Sequence, residues 1–183
     1  MLFPKYTGLV PGVIEWTLNR LSDELSESMK VRYVGHGAIS STGVHTGYFS
    51  NNKWRDYYFG SNTISRDPML RLFKNNNNDF ILWNDERFFA KEKEALSIRH
   101  EICKTGCGIT IKTPVIYNHH MYNEYFYLGL DMDPKDLLHL AANEYDYLKI
   151  LAYTFSEKHT RARAFCDMNI IPFTCTQAVH TII

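Results

Sequence analysis

The chain has 183 residues, with 20 Lys plus Arg against 20 Asp plus Glu and a formal net charge of zero. That length supports one well-cored domain over residues 1–183 and leaves two domains each marginal. Apolar residues at 45% and aromatics at 14% exclude a chain disordered over most of its length, and the balanced charge excludes a strong electrostatic footprint for nucleic acid or anionic membrane.

In chain order, Val13, Trp16, Leu18, Leu21, Leu25 and Met29 recur at helical spacing among polar residues, which predicts an amphipathic helix entered after Pro11 and Gly12. Val31 to Ile39 and Val44 to Phe49 read as two strands joined at Ser40 to Gly43 in a hairpin. Asn51 to Tyr58 is expected to be helical, Asp67-Pro68 to start a short helix running to about Phe73, and the run Asn75 to Asn78 to be an exposed loop. Glu86 to Cys103, with Phe88, Phe89, Leu96, Ile98 and Ile102 among charged residues, predicts a surface helix closed by Gly106 and Gly108. Two strands, Ile109 to Ile116 and Tyr122 to Leu130, should follow, separated by a turn at Tyr117 to His120. After Asp133-Pro134, the stripe Leu137, Ala141, Tyr145, Leu148, Ala152 and Phe155 predicts one long helix to about His159. The core should span about residues 10–160, and the final segment, Thr160 to Ile183, should dock back on it, as an edge strand. This order of helices outside antiparallel strands predicts an α+β fold, a sheet covered by helices on both faces.

Cys103, Cys107, Cys166 and Cys175 lie in a chain whose start, MLFPKYTGLV, lacks the basic and long apolar regions of a signal peptide, so a reducing cytoplasm is expected. Cys103 and Cys107 have no second Cys or close Cys/His pair at zinc-ligand spacing and read as packing residues. No metal or cofactor is expected. The pair His119-His120 reads as a loop pair, because adjacent residues of a strand point to opposite faces. Asp131 and Asp133 before Pro134 read as helix-start residues. No apolar run approaches the about 20 residues needed to cross a bilayer, and no nucleophile triad, phosphate loop or dinucleotide fingerprint is present, so the chain is not expected to be an enzyme.

One constellation stands out. Trp54 and Tyr58 lie four residues apart on one helix face and offer an indole N–H and a phenolic O–H from an apolar wall, the composition of a pocket for a small amphiphile. Asp67 follows Tyr58 by nine residues, Trp83 follows Asp67 by sixteen, and Gly108 opens Gly108-Ile109-Thr110-Ile111. Taken singly, each has an ordinary structural role: Trp54, Tyr58 and Trp83 as core aromatics, Asp67-Pro68 as an N-cap and first helical residue, Gly108 as a turn.

Taken together, the series resembles the ligand domain of LuxR-type quorum-sensing regulators, which carries Trp, Tyr, Asp-Pro, a second Trp and a Gly-hydrophobic-Thr strand at nearly the same spacing. The matching span, Trp54 to Ile111, covers about a third of the chain. The resemblance implies an α-β-α sandwich, PAS/GAF-like, with a central antiparallel sheet of about five strands. It implies that Trp54 donates to the lactone carbonyl of an N-acyl homoserine lactone and that Asp67 accepts from the ligand amide. Tyr58 and Trp83 would pack on the acyl chain and lactone ring, Gly108 would allow close approach of the sheet, and Thr110 and Phe88 would line the cavity. Two departures bear on the ligand. Ser50 stands where several members of the family place a Tyr, and Tyr125 and Tyr127, if they point inward, shorten the cavity. A third departure is at the end, where the family's helix-turn-helix has no counterpart, so direct nucleic-acid binding by this chain is not expected. The resemblance thus implies a cytoplasmic sensor of an N-acyl homoserine lactone or similar amphiphile. The alternative is an anti-activator that needs no ligand and pairs with a full-length LuxR-type regulator; a homodimer or a heterodimer would be its assembled form.

Overall fold

The computed structural model describes residues 5–9, 12–40, 44–60, 78–85, 93–117 and 120–168. The amphipathic N-terminal pattern forms α1, Gly12–Met29, whose Leu18 and Leu25 are buried. It ends where Lys30 takes a left-handed φ of 55° and turns the chain into β2 (Val31–Ser40). β3 (Val44–Phe49) returns antiparallel, and α2 (Asn52–Gly60) follows, its start held by Asn51, whose Oδ1 accepts from the Trp54 N–H at 2.9 Å.

Further along come β4 (Phe80–Leu82), α3 (Lys93–Cys103), β5 (Cys107–Tyr117) and β6 (His120–Leu130). The chain then forms α4 (Pro134–Asn143) and α5 (Tyr145–Met168). β1 (Lys5–Leu9) pairs parallel with β3, while all other neighbours are antiparallel, giving one six-stranded sheet in the order β1-β3-β2-β6-β5-β4. The expected antiparallel sheet is therefore present, with β1 and β4 as two short edge strands that strand periodicity did not reveal. A segment of three or five residues is too short to show alternation.

The sheet separates two cores. On one face Leu18 and Leu25 of α1, Leu137 and Ala141 of α4, and Leu148, Ala152 and Phe155 of α5 pack on Ile109, Ile111, Phe126, Leu128 and Leu130. On the other, Trp54 and Tyr58 of α2 and Leu96 and Cys103 of α3 pack on Tyr33, Ile81, Trp83, Tyr125 and Tyr127. Alternation along β5 and β6 sends odd and even residues to opposite cores. A bulge between Val31 and Tyr33 shifts β2 by one residue, so both face inward, but on opposite sides.

Four sequence expectations are corrected. The single long helix is two, broken at Glu144 (φ −123°, ψ 24°). The Glu144 N–H still donates to the Leu140 carbonyl (2.8 Å) and its own carbonyl accepts from the Leu148 N–H (3.1 Å), so the ladder runs through the bend and the apolar stripe stays in phase across it. Thr160 to Met168 is helical, a continuation of α5, and the proposed edge strand could only lie beyond it, outside the described residues. Gly108 does not close α3; it lies inside β5, and the reversal is made by Lys104 at φ 55°. Finally, the β5–β6 ladder extends to Tyr117 opposite His120, so both strands run into the expected turn, whose residues 118–119 lie outside the described residues. The expected helices at Asp67 to Phe73 and over residues 86–92 fall outside the described residues.

Asp133 caps α4, as a helix-start residue should, accepting from the Lys135 N–H at 2.8 Å with Pro134 in the first turn. Asp131 instead pairs with Arg32 across the surface at 2.8 Å. Among the described residues no helix is long and apolar enough to cross a membrane.

Candidate functional site

The α2/α3 face of the sheet carries an alternation of large and small residues. β2, β6 and β5 align Tyr33, Gly129 and Gly108 in one row and Gly35, Tyr127 and Thr110 in the next. Rings therefore stand beside bare backbone, and a chamber forms under α2 and α3, lined by Tyr33, Phe49, Trp54, Tyr58, Arg99 and Tyr127, with Gly37, Gly47, His36 and Tyr48 at its side. Its remaining free volume is about 20 Å³, room for about one water molecule.

Four of the sequence-identified residues meet at this chamber or directly beside it. Trp54 and Tyr58 are buried, with ring centroids 5.6 Å apart, one helical turn apart on α2. Tyr127 forms part of the wall. Trp83 is buried next to it, held by its Nε1–H donating to Thr110 Oγ1 at 2.8 Å and by its backbone N–H donating to the Gly108 carbonyl at 2.8 Å. Thr110 is thus the anchor of Trp83. Gly108 serves the same ring: a Cβ there would lie 2.6 Å from Trp83 Cζ3 and closer still to Cε3 and Cδ2. The close approach at Gly108 is made by the protein's own indole.

Tyr125 is buried on the same face in the same aromatic core, without lining the chamber; burial pushes its hydroxyl up to about 12. Ser50 points elsewhere. Its hydroxyl accepts from the Val34 N–H at 2.8 Å, and it lines a separate open cleft with Arg32, Asn51, Lys53, Lys104 and Asp131. Asp67 and Phe88 lie outside the described residues.

The residue that sequence reasoning missed is Arg99. It is only 4% exposed, and its guanidinium carbon lies 5.0 Å from the Trp54 ring centroid, 4.9 Å from that of Trp83 and 5.9 Å from that of Tyr127. A signal was present: Leu96, Arg99 and Cys103 follow at three- and four-residue spacing and share the buried stripe of α3. Tyr33 and Phe49 were likewise read only as strand residues.

The electrostatics beside Arg99 follow from burial. Desolvation first, and the Arg99 charge second, lower the His100 pKa below its ordinary 6.5, and its Nδ1 lies 2.8 Å from Thr105 Oγ1. Because the folded value is the lower one, the unfolded chain takes up the proton first as pH falls. The stability contributed by neutral His100 is fully present above the ordinary value and is lost as pH drops through 6.5 toward the folded value. His100→Gln should therefore flatten the fall in melting temperature between pH 7.5 and pH 5.5, measured against the parent; an unchanged slope would refute this assignment. Burial also pushes the Cys103 thiol up to about 12 and the Cys107 thiol up to about 11, so both are packed thiols without thiolate reactivity at neutral pH. Among the described residues no group of His, Cys, Asp and Glu could hold a metal ion.

No family model matches the sequence, and no curated protein matches it. Among solved structures the chain is similar to Escherichia coli SdiA, with a TM-score of 0.53 and 17% identity over 81% of this chain and 60% of that one. It thus spans about 60% of the length of the SdiA chain. It is also similar, at TM-scores of 0.46 and 0.45, to the N-acylhomoserine lactone dependent LuxR family transcription factor CepR2 of Burkholderia cenocepacia and to the LBD domain of VqsR from Pseudomonas aeruginosa. The identities are 14% and 15%, each over 79% of this chain, with 93% and 94% of those chains covered. The fold of this chain is shared with that of SdiA.

Proposed function

We propose that the chain is a cytoplasmic small-molecule sensor domain in quorum-sensing transcription regulation, not an enzyme, and that its ligand is an N-acyl homoserine lactone or a similar amphiphile. The observation that carries this reading is the aromatic chamber itself. Trp54, Tyr58, Trp83 and Tyr127, from three separate parts of the chain, gather on one face of a sheet whose fold is shared with SdiA. A wall of rings with a few hydrogen-bonding edges suits a ligand with an apolar tail and a polar head. In this reading the Trp54 indole N–H donates to the lactone carbonyl, Asp67 accepts from the amide N–H, and Tyr58 and Trp83 pack on the tail and ring.

Ligand that binds only the folded chain stabilises it by mass action, by about 2.7 kcal/mol at a hundred times the Kd. A series from N-butanoyl to N-dodecanoyl homoserine lactone should therefore raise the melting temperature of the folded protein, with a preference for one chain length. No shift at any length overturns the reading. Asp67→Asn, which keeps the shape and removes the charge, should weaken binding by about 1.5 kcal/mol. Trp54→Phe, which deletes the donor, should weaken it comparably, as read by titration calorimetry.

A further inference from the structure

The chamber wall contains a permanent cation set against the rings of Trp54, Trp83 and Tyr127. Arg99 reaches from α3 into the space between Trp54 and Trp83, with both ring centroids at about the same distance, 5.0 and 4.9 Å, and Tyr127 at 5.9 Å. A guanidinium is flat and weakly hydrated, and it satisfies aromatic faces well. The glycines of the neighbouring sheet rows are also covered by the protein's own groups. The Tyr33 ring lies over Gly35, Trp83 over Gly108 and Thr105 over Gly129. With about 20 Å³ left over, a lactone ring cannot share the cage with the guanidinium, since small-molecule sites are on the order of 300 Å³ or larger.

We propose that Arg99 is the affinity- and specificity-determining residue of this chamber: its guanidinium holds the space between Trp54 and Trp83 that a ligand head group must enter, so binding requires Arg99 to withdraw. The inference rests on the ligand-binding reading above. Physically, a ligand pays the free energy of displacing the guanidinium before its own contacts count, and the apparent affinity falls by the fraction of molecules in which the cage is clear. Arg99 also biases the choice of ligand. A head group that only stacks competes directly with the cation, whereas an unbranched apolar side chain at position 99 would line the same space without contesting the ring faces.

The test is a titration of N-octanoyl homoserine lactone, followed by tryptophan fluorescence in a Trp16→Phe background, which leaves Trp54 and Trp83, and by melting temperature. It compares the parent chain with Arg99→Met, which keeps an unbranched stem and removes the planar charge. The midpoint concentration is expected to fall at least tenfold in Arg99→Met, equivalent to about 1.4 kcal/mol. Arg99→Lys, a point charge without the flat stack, should lie between the two. A residue that served only packing would change the melting temperature without ligand and leave the midpoint where it was. Should both proteins bind with an equal or higher midpoint in Arg99→Met, the inference is overturned while the sensor reading stands. A response in Arg99→Met alone supports the inference and removes the parent chain as a lactone sensor. If neither responds, both fall. Should Arg99→Met fail to fold, Arg99→Gln is judged by the same midpoint criterion.

Discussion

Glu124→Ala should lower the unfolding free energy by about 1 to 3 kcal/mol, the range for leaving a buried polar group without its hydrogen-bond partner. Glu124 and His36 are 1% and 2% exposed, and Glu124 Oε2 lies 3.0 Å from His36 Nε2. They sit on the α1/α5 face of the sheet, where their neighbours along the strands are Val34, Phe126 and Leu128. Alanine removes the carboxylate that faces the imidazole and also leaves a space in a close-packed layer. Glu124→Gln keeps the volume and one hydrogen bond, so its loss should be clearly smaller. Urea denaturation of the two variants decides: a loss below about 1 kcal/mol for alanine would show the pair to be energetically neutral.

Gly108→Ala should destabilise the chain by about 3 kcal/mol, the upper end of the usual cost of overpacking. The added Cβ would meet three atoms of the Trp83 ring, the farthest at 2.6 Å. That ring cannot slide aside cheaply, since Thr110 Oγ1 holds its Nε1–H and the Gly108 carbonyl holds its backbone N–H. Displacing it would also disturb Arg99, stacked 4.9 Å from the same ring centroid. The variant should therefore show a lowered melting temperature together with an altered Trp83 fluorescence spectrum. A melting temperature within a degree of the parent would mean that Trp83 does not rest on Gly108.

The two variants probe opposite cores of one sheet, and the difference between those cores is what ties the fold to the proposed function. The α1/α5 side is mainly an apolar layer around the His36–Glu124 pair, with Phe126 on Phe155, ring centroids 4.7 Å apart. The α2/α3 side is built from rings bearing polar edges, with glycines between them and a guanidinium at the centre. A layer of the second kind packs less uniformly and offers hydrogen bonds from inside, the property a binding site needs.

By itself the sequence determined the elements whose apolar residues repeat over several turns or pleats. α1 is visible in Val13 to Met29, and β2, β3, β5 and β6 in their alternation, because local burial patterns need no knowledge of the partner. The spacing of Trp54, Tyr58, Trp83, Gly108 and Thr110 also pointed to the fold now seen, since each residue type was tied to a place in the element order. What only the tertiary structure decided lies where the cause is non-local. β1 exists because β3 offers it an edge, and the break at Glu144 is hidden by a stripe that keeps its phase through the bend. Gly108 turned out to make room for Trp83, from a different strand end, and Arg99, written in sequence as one more charge on a surface helix, is enclosed by rings from α2, β6 and the end of β4. A charge is read as exposed until the groups that bury it are known, and those groups come from three separate parts of the chain.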